Sequence, residues 1–166
     1  MHGIRSAAEL YAHAIAIERE AAERYAEFAR FMADLGNQAV AELFGRLAGL
    51  EAEHLEALLR RTDGVTLPEA SAASCRWLDS GAPETGAREL IFRLMTPRHA
   101  LEIALAAEHR AEAFFQDVFA TADDPALRAL AQEMAMEERE HVQLIEGLMA
   151  RTPDANVDWA VLYGAG

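Results

Sequence analysis

From Ser6 to Leu35 the chain contains neither proline nor glycine, and Tyr11, Ala14, Ile15, Ala21, Ala22, Tyr25, Phe28 and Met32 recur at spacings of three and four. Such a run fits the 3.6-residue period of an α-helix and breaks the period of two that a half-buried strand needs, so it predicts one long amphipathic helix. Gly36-Asn37 interrupts the pattern, and a second periodic stretch from Gln38 to Arg61 carries Phe44, Leu47, Ala48, Leu55 and Leu58 on one face. A break this short joins the two helices as an antiparallel hairpin. Ala, Leu, Glu and Arg abound while β-branched residues are sparse, so the chain is expected to be all-α.

Residues 62–86, TDGVTLPEASAASCRWLDSGAPETG, concentrate Gly, Pro, Ser and Thr and read as a long crossover along the bundle, extending to about residue 96. Ala87 to Met95 is expected to hold a short helix. Thr96-Pro97 has the form of an N-cap followed by a first-turn proline and opens a helix to about Thr121, and Asp124-Pro125 repeats that form for a helix to about Ala150. The expected layout is a four-helix bundle over residues 1–151, with a tail over 152–166 that docks through Trp159 and Tyr163.

Other classes are excluded by charge and cysteine content. A net charge of -13 repels phosphate backbones and anionic lipid, so neither nucleic acid nor a membrane surface is an expected partner. No apolar run approaches the roughly 18 to 20 residues of a membrane span, and Glu9, Glu18 and Glu20 break any signal-peptide pattern, so a cytoplasmic location is expected. Cys75 is the sole cysteine, which excludes an internal disulfide, a CxxC redox pair and thiolate-held iron within one chain.

The two halves of the sequence repeat. Ala14, Ala16, Glu18 and Ala21 match Ala104, Ala106, Glu108 and Ala111 at an offset of ninety residues; Leu43, Ala48, Glu51, Glu53 and His54 match Leu130, Ala135, Glu138, Glu140 and His141 at eighty-seven. The repeat places acidic residues where apolar ones belong. Glu18 and Glu108 each lie in line with the stripe that should face the core. Glu51 with His54, and Glu138 with His141, form two Glu-x-x-His pairs, each on the apolar face of its helix. A bare buried carboxylate costs several kcal/mol unless it is paired, protonated or metal-bound, so these residues call for a compensating partner.

The order Glu, Glu-x-x-His, Glu, Glu-x-x-His, together with the phrases IEREAAERYAEFA, LEAEHLEALL, ALEIALAAEHRAEAFF and EEREHV, resembles the ferritin-like superfamily and its rubrerythrin-related branch over most of the chain. The resemblance implies a ferritin-like antiparallel four-helix bundle. It also implies two iron ions bridged by Glu51 and Glu138 and held terminally by Glu18, Glu108, His54 and His141, with manganese or zinc as possible substitutes. Two ferrous ions balance four carboxylates, and carboxylate with imidazole suits iron or manganese. Tyr25, seven residues beyond Glu18, resembles the family's tyrosine beside the ligands but equally fits core aromatic packing; Phe115 stands in its place in the other half. Glu137 occupies a position where relatives place a carboxylate that orients a ligand histidine, whereas Leu50 holds the equivalent place.

The implied activity is reduction of peroxide or dioxygen by the dimetal centre, in a homo-oligomer expected to be a dimer. With no cysteine pairs for a rubredoxin-type domain, electrons are expected from an external donor. Rubrerythrins carry a further glutamate three residues after the third-helix ligand; this chain has Ala111 there and Glu112 one residue later. Iron binding or ferroxidation for storage, oxygen-dependent hydroxylation in a larger pocket, and a metal-free helical interaction module stay open as alternatives. His2, His13, His99 and His109 lack ligand spacing and are expected to be surface or structural, as are the Arg and Glu residues of the face carrying Arg19, Glu20, Glu23, Arg24, Glu27 and Arg30. Gly45 and Gly49 form GxxxG, which in a soluble helix permits close packing.

Overall fold

Helix α1 spans Ala7–Asp34 and starts where Ser6 accepts a hydrogen bond from the Glu9 N–H at 3.2 Å, while the Glu9 carboxylate accepts from the Arg5 N–H at 2.7 Å. These two bonds satisfy backbone donors that the first turn leaves open. The helix ends in a Schellman motif: Gly36, at φ 78°, donates to the Ala33 carbonyl and Asn37 to that of Met32. Asn37 then caps α2, Gln38–Arg61, so one short turn both stops α1 and starts its partner. The second hairpin is built from α3, Pro97–Thr121, capped by Thr96, and α4, Pro125–Arg151, capped by Asp124; both proline starts follow the sequence expectation. The computed structural model describes residues 4–70 and 95–153. Cys75, residues 87–94 of the expected short helix, most of the crossover, His2, and Trp159 and Tyr163 of the tail lie outside the described residues.

The four helices form an all-α four-helix bundle, as the sequence resemblance implies. Two apolar clusters fill it end to end. One joins Leu10, Ala14 and Ile15 of α1 to Leu58 of α2, Phe115 and Val118 of α3, and Leu127, Leu130 and Met134 of α4. The other joins Tyr25, Phe28 and Met32 to Val40 and Phe44, Leu101 and Ala104, and Ile145. The clusters thus pair the start of α1 with the end of α2, and the end of α3 with the start of α4. Thr62 and Thr96 therefore sit at opposite ends of the bundle, whose length is about 36 Å for a 24-residue helix at 1.5 Å per residue. Tyr25, Phe44 and Phe115 are almost wholly buried, each worth about 1.5–3 kcal/mol in area removed from water. Among the described residues no helix is long and apolar enough to cross a membrane.

Candidate metal centre

Between the two apolar clusters lies a single charged layer. Along α1 the first cluster ends at Ile17 and the second begins at Ala21, with Glu18 between them; Glu51, Glu108 and Glu138 occupy the same gap on the other helices. All four carboxylates are 3–4% exposed, and His141 is 6% exposed, whereas His54 is half-buried. Helical spacing explains the layer: one turn in each apolar stripe carries an acid, and the hairpins bring the four turns to the same height.

His141 is the hub. Its Nδ1 lies 3.2 Å from Glu108 Oε2, 3.5 Å from Glu51 Oε1 and 3.6 Å from Glu138 Oε2. Its Nε2 lies 3.2 Å from Nε2 of His54, with the two rings edge to face. Ligand atoms of Glu51, Glu108 and His141 all fall within 4.8 Å of one another, close enough to share one cation. Glu18 joins through a hydrogen bond with Glu51, yet its Oε2 has no hydrogen-bond partner although it is buried. Tyr25, 0% exposed, donates its hydroxyl to Glu108 Oε1 at 2.8 Å. Tyr25 stacks on Phe44 at 5.7 Å as a core aromatic, and its hydroxyl also touches a carboxylate of the layer.

The electrostatics of the layer are those of too many acids in too little water. Burial, the field of Glu108 and the bond with Glu18 push Glu51 up to about 11. Burial also raises Glu138, to about 8, and raises Glu18. For His141 burial opposes the charge, but hydrogen bonds to Glu108 and Glu138 and the field of Glu51 overcome it and lift the ring to about 11. Burial and the His141 charge lower His54. Without a cation, protons must neutralise this layer, and the orphaned Glu18 oxygen shows that hydrogen bonding alone does not complete it. Hard oxygen donors with two imidazoles fit iron or manganese better than soft metals. Such ions meet the demand for positive charge.

A narrow cavity of about 10 Å³ beside the layer is lined by Ile17, Ala21, Ala107 and Ala111 together with Glu51, Glu108, Glu138 and the exposed Arg110. It has room for about one water-sized molecule.

Glu112, one residue after Ala111, is 8% exposed and accepts from Arg139 Nε at 2.9 Å and from Gln116 at 2.8 Å, with His109 Nδ1 at 3.6 Å. This α3–α4 ion pair, with Glu112 buried and Arg139 exposed, follows from no spacing in the sequence, because the partner choice is made by the packing of two helices. Glu137 is half-buried, its pKa raised by burial and by Glu133, and its field acts on His54 of the opposite hairpin. His13 packs against the Phe114 ring at 5.6 Å, in keeping with a structural role. Arg24 pairs with Glu27 at 3.0 Å on the exposed face. The close-packing expectation for Gly45 and Gly49 is corrected: both face outward, and no described residue lies within 4 Å of a Cβ placed on either.

Comparison with known proteins agrees with this arrangement. The rubrerythrin family model matches residues 9–73. A crystal structure of an uncharacterized conserved protein from Magnetospirillum magnetotacticum MS-1 superposes with a TM-score of 0.74 at 33% sequence identity, covering 92% of this chain and 99% of that one. No curated protein matches the chain.

Proposed function

The chain belongs to the rubrerythrin family of ferritin-like proteins, and from that premise we propose that it is a diiron oxidoreductase reducing peroxide or dioxygen with electrons from an external donor. The observation that carries the reading is the layer itself: four carboxylates almost fully withdrawn from water, two Glu-x-x-His pairs facing each other, and one buried carboxylate oxygen without a partner. Glu18, Glu51, Glu108, Glu138, His54 and His141 are the residues that would hold the ions. Bound there, two ferrous ions supply the electrons that the side chains cannot.

The chain's own residues do the rest. Ile17, Ala21, Ala107 and Ala111 wall a cavity that admits a molecule about the size of water, which supports a small oxidant over the organic substrate a hydroxylase must seat. Tyr25 holds one oxygen of Glu108 and leaves the other facing His141. The apolar clusters on both sides exclude water from the layer. With Cys75 as the only cysteine, no thiolate centre in this sequence relays electrons, which supports a donor in trans.

Ala111 favours a second reading. An alanine lines the cavity where rubrerythrins carry a further glutamate, so the centre fits a ferroxidase as well as a peroxidase. Stopped-flow oxidation of the diferrous protein by each oxidant, run beside a sizing experiment, separates the two. Faster oxidation by peroxide in a small oligomer, with re-reduction only on adding a donor, is the expected result; dioxygen preference in a cage-sized assembly establishes storage instead.

A further inference from the structure

The six ligand side chains repeat in the two halves of the sequence, but the residues around them do not. Glu108 is fixed at both oxygens, Oε1 by the Tyr25 hydroxyl at 2.8 Å and Oε2 by His141 at 3.2 Å. At the place of Tyr25 the other half has Phe115, which brings no hydroxyl, and Glu18, the counterpart of Glu108, keeps an unpartnered Oε2. One turn beyond Glu108, the buried Glu112 is tied to Arg139, the residue after Glu138, so an ion pair joins α3 to α4 beside the layer. Their counterparts on α1 and α2 are Ala22 and Ala52, which form no such tie. His141 points Nδ1 at three carboxylates, whereas His54 is half-buried and meets the group through the His141 ring.

Resting on the dimetal reading above, we propose that the two cation positions are inequivalent and fill in order. The position bounded by Glu108 and His141, with Glu51 and Glu138 beside them, loads first; the position of Glu18 and His54 loads second. A cation arriving at the first finds ligand atoms of Glu51, Glu108 and His141 already gathered within 4.8 Å of one another. A cation at the second requires the His54 ring to turn from His141 and the unpartnered oxygen of Glu18 to be ordered. Ordering ligands at the moment of binding weakens binding, and prior ordering by neighbouring side chains strengthens it. Tyr25, Glu112 and Arg139 are therefore positioning residues for the first ion.

The test is titration of the metal-free, full-length protein with Co(II), read by calorimetry and by the visible d–d spectrum. Two steps of one equivalent each are expected, at least about tenfold apart in affinity, each with its own spectrum. Tyr25→Phe should weaken the first step by about tenfold to a hundredfold, the usual effect of removing a group that orients a ligand, and shift the spectrum of that step. Phe115→Tyr, which restores the missing hydroxyl in the other half, should narrow the gap from the second step. His54→Ala should abolish the second step and leave the first intact. Uptake of two equivalents in one step, or loss of the first step in His54→Ala, overturns the order of filling while sparing the dimetal site. Uptake of one ion or none by the unaltered protein overturns the dimetal site itself.

Discussion

The two hairpins contribute the same side chains, one Glu and one Glu-x-x-His each, at the same heights, yet one is braced and the other is not. The α3–α4 hairpin has both oxygens of Glu108 engaged, His141 at the centre of three carboxylates, and the buried Glu112 tied to an exposed Arg139 across its helices. The α1–α2 hairpin leaves Glu18 Oε2 without a partner and His54 half-exposed at the edge of the layer. The difference teaches that repetition copies positions along a helix but not environments. The Glu and His residues of the layer are placed by the 3.6-residue period, which any duplicated helix keeps, whereas bracing depends on the few side chains that differ between the copies.

The sharpest way to break this comparison is to let protons and metal compete. In the metal-free protein Glu138, raised to about 8 chiefly by burial, and His141, raised to about 11 by its carboxylate neighbours against the effect of burial, keep protons that the unfolded chain gives up near 4.5 and 6.5. The folded state then binds more protons than the unfolded one between about pH 5 and 8, so metal-free stability falls as pH rises. His54, lowered by burial, acts in the opposite sense only below its ordinary 6.5. Metal replaces those protons, so the gap in Tm between loaded and metal-free protein should widen from pH 5 to pH 8. With free metal at a thousandfold excess over Kd, one site contributes about 4 kcal/mol. Calorimetric melting across that range checks both the sign and the size; a gap that stays constant or shrinks removes the layer as the source.

A smaller effect distinguishes the brace from surface pairing. Arg139→Ala strands Glu112, whose side chain is 10% exposed, and should cost about 1–2 kcal/mol even with Gln116 still donating. Arg61→Ala removes an equally short pair, 2.7 Å to Glu133, in which both side chains are exposed, and should cost less than about 1 kcal/mol. Urea unfolding of the two variants ranks them; equal losses contradict the distinction. Glu18→Met should move the other way, raising metal-free stability by about 1 kcal/mol because an incompletely partnered buried acid is replaced by an apolar side chain, while limiting uptake to one ion. Smallest of all, Gly45→Ala on the outward face of α2 should stabilise by no more than about 1 kcal/mol, the helix-propensity difference alone. A loss there would reveal a packed neighbour.

Much of the molecule was legible before its structure. Thr96-Pro97, Asp124-Pro125 and Gly36 mark helix ends because capping is a local matter of backbone donors and allowed φ angles, and the observed helices begin and end beside them. The acids of the layer stood out because Glu18 and Glu108 interrupt apolar stripes that demand burial. Harder to read were the partners chosen across helices. That Tyr25 of α1 reaches Glu108 of α3, or that Glu112 finds Arg139, depends on helix rotation and height within the bundle, which no spacing along one segment encodes. Gly45 and Gly49 misled for the same reason, since GxxxG describes a surface without saying which way it turns.

The central claim is that the charged layer holds two metal ions. Elemental analysis of the protein, loaded with ferrous iron without oxygen and freed of excess metal, measures it directly. Two ions per chain are expected, falling to at most one in Glu51→Ala combined with His54→Ala. Less than one ion in the unaltered chain, or two that persist in the double variant, would contradict the account.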